Sequence, residues 1–164
     1  MSENSPEIIS DPVKQLGQLI SQFSSNADSI LFIADKTDQI NFDQKRTTLI
    51  TLNQISEGQF PKLKLFDFVL IKDLFEKMDE QKAESIIAQM RDVYARELLL
   101  IISESCFRHA SDLISLGLGK VAEFEQKGQL HQTWYFAIES YKRVPDWLNN
   151  RYWANPELYE KYRW

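Results

Sequence analysis

The chain has 164 residues, a formal net charge of −5 at pH 7 and 43% hydrophobic residues, which is the composition of one ordinary globular domain. The negative charge excludes a nucleic-acid binder that depends on a broad basic surface, because phosphates are neutralised by clustered Lys and Arg. The single cysteine, Cys106, excludes an intrachain disulfide, and two histidines leave too few soft ligands for a structural zinc site.

The sequence predicts neither a signal peptide nor a membrane segment. The start of the chain is acidic and lacks the basic and apolar stretches of a leader. No apolar run reaches the length of about eighteen residues that a membrane helix needs. We therefore expect a cytoplasmic protein that forms a single domain, with a loose N-terminus over residues 1–10, a core over residues 11–140 and a C-terminal tail over residues 141–164.

The N-terminal half predicts a helix and two strands. Asp11 can cap a helix that begins at Pro12, since proline is favoured at the first helical position. The continuous apolar run at residues 30–34 predicts a parallel strand that is covered on both faces. Residues 47–52 are rich in β-branched side chains and predict a second strand. Residues 53–65 contain glycine and proline and predict a loop.

The central stretch, residues 66–103, predicts a strand, a helix and a strand. Apolar residues are continuous at positions 68–71 and 98–102, as in strands that are buried on both faces of a parallel sheet. The acidic residues near Asp79 open the helix and are expected to cap it. Apolar residues at three- and four-residue spacing predict that this helix packs on one sheet face: Met78, Ile86, Ile87, Met90, Val93 and Tyr94.

A further helix is predicted over residues 108–116, with the glycine that follows as its left-handed C-terminal residue. Residues 120–126 and 131–141 then predict a β-hairpin around the turn at residues 127–128, because apolar and polar side chains alternate. A single helix over residues 111–126 is the competing interpretation, and its two internal glycines disfavour it.

This order of elements resembles class I S-adenosylmethionine-dependent methyltransferases. FDFVLIKDLFEKMDEQKAESIIAQMRDVYARELLLIIS resembles their segment from the fourth to the fifth strand, and LISLGLGKVAEF resembles their last helix, glycine and terminal hairpin. The resemblance implies an α/β fold of trimmed Rossmann-like type. Its mostly parallel sheet of about five to six strands has flanking helices, a C-terminal hairpin and an aromatic-rich tail. The tail, YKRVPDWLNNRYWANPELYEKYRW, also resembles an uncharacterised family of small proteobacterial proteins, which implies a bacterial origin.

The resemblance does not extend to the cofactor loop. In that family a glycine-rich turn after the first strand lets backbone amides approach the cofactor. Here that segment reads ILFIADKTDQINF, and no glycine occurs between Gly17 and Gly58. The second strand ends in Asn53 where an acidic residue is expected to hold the ribose. We therefore predict the fold without a cofactor, and we disfavour S-adenosylmethionine binding.

Candidate binding residues are the polar groups at the carboxyl ends of the predicted strands, where ligands bind in open parallel sheets: Asp35, Asn53, Lys72, Asp73, Ser103, Glu104 and Cys106. Cys106 and His109 are three residues apart and, with Asp112 as an orienting group, are a candidate thiolate–imidazole pair. No oxyanion-hole motif accompanies them, so a buried cysteine and a helix-start histidine are the favoured interpretation. We predict no catalytic residue and no metal ligand.

The tail mixes aromatic and basic residues, and its candidate interaction residues are Trp147, Arg151, Trp153 and Trp164. Trp and Arg are typical energetic centres of interfaces, so the tail predicts docking on the core, self-association or an unknown protein partner. Nucleotide or RNA binding by base stacking is an alternative. As a whole the sequence predicts a non-catalytic interaction or regulatory domain on a methyltransferase-like fold, with a divergent S-adenosylmethionine-dependent methyltransferase as the alternative.

Overall fold

A computed structural model of the chain describes residues 12–35, 43–60 and 64–141. For residues 12–16 and 141 it describes the backbone alone. Six strands form one sheet in the order β2-β1-β3-β4-β6-β5. The strands are β1 Ile30–Ala34, β2 Thr47–Thr51, β3 Phe66–Lys72, β4 Ala95–Ser103, β5 Gly119–Gln126 and β6 Gln129–Ala137. The first four pair in parallel, and the β5–β6 hairpin joins β4 antiparallel. This confirms the Rossmann-like sheet that the sequence predicts.

The described segments also contain six short α-helices: α1 Pro12–Ser24, α2 Leu52–Ser56, α3 Leu74–Lys77, α4 Glu80–Gln89, α5 Ala110–Ser115 and α6 Ile138–Tyr141. A π-helical turn, Met90–Tyr94, follows α4, and a 3₁₀ helix, Glu104–His109, precedes α5. Pro12 is the first residue of α1, as predicted, whereas its expected cap Asp11 lies outside the described residues. No helix in these three segments is long and apolar enough to cross a bilayer.

The central strands are buried on both faces, which is why their apolar runs are continuous. One face carries Leu31, Ile33, Val69, Ile71, Leu98 and Leu100, which form a core cluster with Ile86 and Ile87 of α4. The other face carries Ile30, Phe32, Phe68, Leu70, Leu99 and Ile101, which form a second cluster with Ile20 of α1 and Phe124 of β5. Because β1, β3 and β4 pair in parallel, their carboxyl ends lie at one edge of the sheet.

The predicted helix between β3 and β4 is divided into three parts. Met78 has an extended backbone, with φ −134°, and separates α3 from α4. Asp79 caps α4, because its carboxylate accepts a hydrogen bond from the Lys82 N–H at 2.9 Å, as predicted. The placement of Val93 on the core face is wrong, since its side chain is 46% exposed. The π-helical turn changes the helical period there and moves Val93 away from the sheet.

The segment after β2 is a helix at its start, where the sequence predicts a loop. β2 ends at Thr51, one residue earlier than expected, and α2 begins at once. Thr51 and Gln54 form a capping box, in which each side chain bonds the other residue's backbone N–H. Leu52 and Ile55 are buried, so α2 attaches the end of β2 to the core.

The C-terminal hairpin has the predicted turn. Lys127 and Gly128 both have positive φ, 52° and 74°, as a two-residue hairpin turn requires. The competing helix over residues 111–126 is wrong, because α5 ends before Gly117, whose φ of 87° makes it the left-handed terminator. β6 ends at Ala137, so the predicted alternation stops four residues before position 141. The tail residues Trp147, Arg151, Trp153 and Trp164 lie outside the described residues.

Candidate functional site

The direction in which the chain adds strands to the sheet reverses between β1 and β3. From β1 the chain passes to β2 on one side, and β3 lies on the other side. Ligands of open α/β sheets bind at such a switch point. Asp35 follows β1 here, and its carboxylate forms an ion pair with Lys77 of α3 at 3.1 Å. The predicted cleft residue is therefore present at the edge, with an ammonium group beside it.

Lys72 and Asp73 end β3 on the other side of the switch point. Lys72 is only 7% exposed, and its Nζ lies 3.6 Å from the Asp73 carboxylate. A buried ammonium group needs anionic or hydrogen-bonding partners to offset its lost hydration. Asp73 adopts the left-handed conformation, with φ 59°, and its N–H donates to the Ile101 carbonyl at 3.4 Å. The turn after β3 thus holds a charged pair at the edge of the sheet.

Asn53 does not join this group. It lies in α2, exposed, and β1 separates β2 from β3. With strands about 4.8 Å apart, the ends of β2 and β3 are about 10 Å apart across the sheet. The hydroxyl of Thr51, the last residue of β2, is bonded in the capping box with Gln54.

At the end of β4 the predicted Ser103 is paired with a carboxylate that the sequence does not indicate. Ser103 is buried, and its hydroxyl donates to the carboxylate of Glu76 in α3. Ser105 lies 3.0 Å from the Ser103 oxygen, and Cys106 is buried with its Sγ 3.7 Å from the Ser105 oxygen. Glu104, a predicted cleft residue, is exposed.

His109 is not bonded to Cys106: among the described residues no hydrogen bond or ion pair joins the two side chains. His109 is 3% exposed, and its ring stacks on Phe75, with ring centroids 4.4 Å apart. Its Nδ1 lies 3.6 Å from the carboxylate oxygens of both Asp112 and Glu80. The sequence indicates Asp112 as a neighbour of His109 but not Glu80, which lies 29 positions earlier in the chain.

The chain belongs to DUF6231, a family of unknown function, whose model matches residues 10–164. No functionally curated protein has significant sequence similarity to it. Membership therefore names the family and leaves the activity open.

The DUF6231 chain resembles methyltransferases in its fold. Magnesium protoporphyrin IX methyltransferase from Synechocystis PCC 6803, solved with bound SAM, is 10% identical, with a TM-score of 0.50 over 75% of this chain and 76% of that chain. An O-methyltransferase family protein from Burkholderia thailandensis is 9% identical, with a TM-score of 0.47 over 76% of this chain. This chain spans 56% of that protein's length. At such identities the likeness shows the fold alone.

The described carboxylates at the switch point of the DUF6231 protein are paired with lysines. S-adenosylmethionine is cationic, and the two carboxylates beside the switch point, those of Asp35 and Asp73, each have a lysine ammonium within 3.6 Å. β2 ends at Thr51 instead of Asn53, so the strand still ends without an acidic residue, and the Thr51 hydroxyl is bonded to Gln54. Residues 36–42, where a glycine-rich turn is expected, lie outside the described segments.

Proposed function

We propose that this DUF6231 protein is a non-catalytic interaction or regulatory domain that keeps the methyltransferase fold without transferring methyl groups. The observation that carries the proposal is the charge pairing at the switch point. Asp35 is paired with Lys77 at 3.1 Å, and the buried Lys72 lies 3.6 Å from Asp73. These contacts within the protein use the groups that a cofactor at this edge would need.

Lys72 supplies the electrostatic argument. Its ammonium group is held inside the protein at 7% exposure. Its charge is balanced by the Asp73 carboxylate at 3.6 Å, so the pair has no net charge. A cofactor at this end of β3 therefore meets no net negative charge that would attract its sulfonium and ammonium groups. This supports a domain that binds something other than the cofactor.

Isothermal titration calorimetry with S-adenosylmethionine and with its demethylated product tests the proposal. We expect no binding at micromolar concentrations to the full chain. Lys72→Met removes the buried charge with little change in side-chain length, so a cofactor site that Lys72 alone suppresses would gain affinity in this variant. Lys120→Met, at an exposed position of β5, is the matched control. Micromolar binding by the unmodified protein, with competition by the product, contradicts the proposal.

A divergent S-adenosylmethionine-dependent methyltransferase is the second candidate, favoured by the fold shared with an enzyme solved with bound SAM. In this case the same titration gives binding, and Asp35 and Asp73 are the residues that would contact the cofactor. Asp35→Ala and Asp73→Ala would then each weaken binding by at least about tenfold, which corresponds to about 1.4 kcal/mol. Unchanged affinity in both variants removes this candidate.

The proposed partner is another protein or a second copy of the chain, and the proposed contact surface is the tail. Trp147, Arg151, Trp153 and Trp164 are residue types that commonly carry interface energy. Acidic residues also occur in the tail, and they lower the positive charge that binding of a nucleic acid would need. This composition favours a protein partner over RNA.

A further inference from the structure

A buried histidine faces two carboxylates from two separate segments of the chain. Glu80 is the first residue of α4, which follows β3. His109 ends the 3₁₀ helix after β4, and Asp112 lies in α5. One nitrogen or oxygen atom from each of the three residues lies within 4.8 Å of the other two. The three residues lie on segments that follow the carboxyl ends of β3 and β4.

The histidine is the buried member of the three, with a side chain that is 4% exposed. Its Nδ1 lies 3.6 Å from one carboxylate oxygen of Glu80 and 3.6 Å from one of Asp112. A buried imidazole nitrogen is normally paired with a polar group or an ion, and both carboxylates face this one.

An imidazolium ion held by carboxylates has a different geometry. A charge-assisted N–H···O bond is about 2.7–2.9 Å long, and one N–H points at one acceptor. Here two oxygens are equally distant from the same nitrogen, and both are too far away for such a bond. The space in front of Nδ1 is therefore shared by the two carboxylates.

The distances from His109 Nδ1 to the two carboxylates are close to those of a metal centre. Nitrogen and oxygen ligands lie about 2.0–2.2 Å from Zn²⁺, so two ligands at a tetrahedral angle are about 3.4 Å apart, against 3.6 Å for each of these two distances. We propose that Glu80, His109 and Asp112 bind a first-row divalent transition metal ion such as Zn²⁺. Two carboxylates neutralise its charge, and imidazole favours such an ion over Mg²⁺ or Ca²⁺.

The surroundings suit such a site. Phe75 stacks on the imidazole at an interplanar angle of 10° and fixes the orientation of the ring. The side chains of Glu80 and Asp112 are 56% and 36% exposed, so an ion can enter from solvent and keep a water ligand. The ion joins the segment after β3 to the segment after β4, and it stabilises the folded state by mass action.

Zinc affinity is the first measurement. The full chain, purified without a histidine tag, is titrated with Zn²⁺ in competition with a chromophoric chelator. Glu80→Gln and Asp112→Asn keep side-chain size and alter an exposed and a half-buried position, so both variants should fold. We expect each to weaken Zn²⁺ binding by at least about tenfold, because even indirect changes at metal sites cost that much. Glu125→Gln, on the distant hairpin, is the matched control and should bind as the unmodified chain does.

Two further measurements separate a metal ligand from a structural ion pair. In ¹⁵N NMR spectra Zn²⁺ should shift the Nδ1 resonance of His109 and leave that of His131 unchanged. Zn²⁺ should also raise the melting temperature of the unmodified chain and of Glu125→Gln, but not that of Asp112→Asn. Equal zinc affinity in all four proteins overturns the proposal, and so does an imidazole that is protonated at both nitrogens and insensitive to Zn²⁺.

Discussion

At the scale of single residues, Asp67 shows how one carboxylate joins two strands. Its Oδ2 accepts hydrogen bonds from the N–H groups of Asp28 and Ser29, both at 3.1 Å, and from the Ser29 hydroxyl at 3.0 Å. Burial raises the pKa of Asp67, but the bonds from Ser29 and Asp28, together with the charge of Arg96, outweigh it and lower the pKa overall. The charged carboxylate therefore holds the start of β1 beside β3.

Asp67→Ala should lower the free energy of unfolding by about 1–2 kcal/mol at pH 7, because three donors lose a charged acceptor that is partly exposed. A depressed pKa stabilises the protein above the unfolded-state pKa of about 3.9, and this contribution is lost as pH falls through the lower folded-state pKa. Urea unfolding at pH 7 and at pH 3 measures both effects. The deficit should shrink at pH 3, and the exposed Asp28→Ala should show little deficit at either pH.

Part of the candidate site is predictable from single residues and part is not. Asp35, Lys72 and Ser103 follow directly from the rule that ligands of parallel sheets bind beyond the carboxyl ends of the strands, and the structure places all three at the ends of their strands. Glu80 does not follow from it, since it lies beyond the strand end and reaches His109 only through the packing of α4. The sequence pairs His109 with Cys106 by proximity, whereas tertiary structure turns the ring toward carboxylates.

At the scale of elements, the strands are predictable because they are buried on both faces, which leaves continuous apolar runs in β1, β3 and β4. The helices are harder to predict, because periodicity needs length. Five residues of α2 are too few to show a period, although the T-x-x-Q capping box was a readable signal. The π-helical turn is invisible in a 3.6-residue pattern and accounts for the error at Val93.

Asp79 is the N-cap of α4, so its replacement tests how this helix begins. Asp79→Ala leaves the Lys82 N–H without its side-chain acceptor and should cost about 1 kcal/mol of stability. Asp79→Asn should cost much less, since asparagine caps as well as aspartate does. Thermal and urea unfolding in EDTA measure this difference apart from any metal effect at the neighbouring Glu80. Equal losses in both variants would show that charge, and not the capping bond, matters.

At the scale of the whole molecule, stability is concentrated in the middle of the sheet. All five residues of β1 are buried, and β3 and β4 are buried along most of their length. β2 and β5 form the two edges, and most of their side chains are exposed or half-buried. Edge strands also leave one row of backbone groups outside the ladder. The sheet should therefore open from its edges while β1, β3 and β4 remain paired.

Native-state hydrogen exchange tests this order of opening. Amides of β1, β3 and β4 should exchange only through global unfolding, whereas those of β2 and β5 should exchange through local opening, which costs less free energy. Ile71→Ala leaves a cavity in the core and should lower protection in all three central strands together, by about 2–5 kcal/mol. Val121→Ala, at a 43% exposed position of β5, should leave the central strands unchanged. Protection in β2 equal to that in β3 would mean that edge and centre unfold as one unit, and that contacts beyond the sheet hold β2 in place.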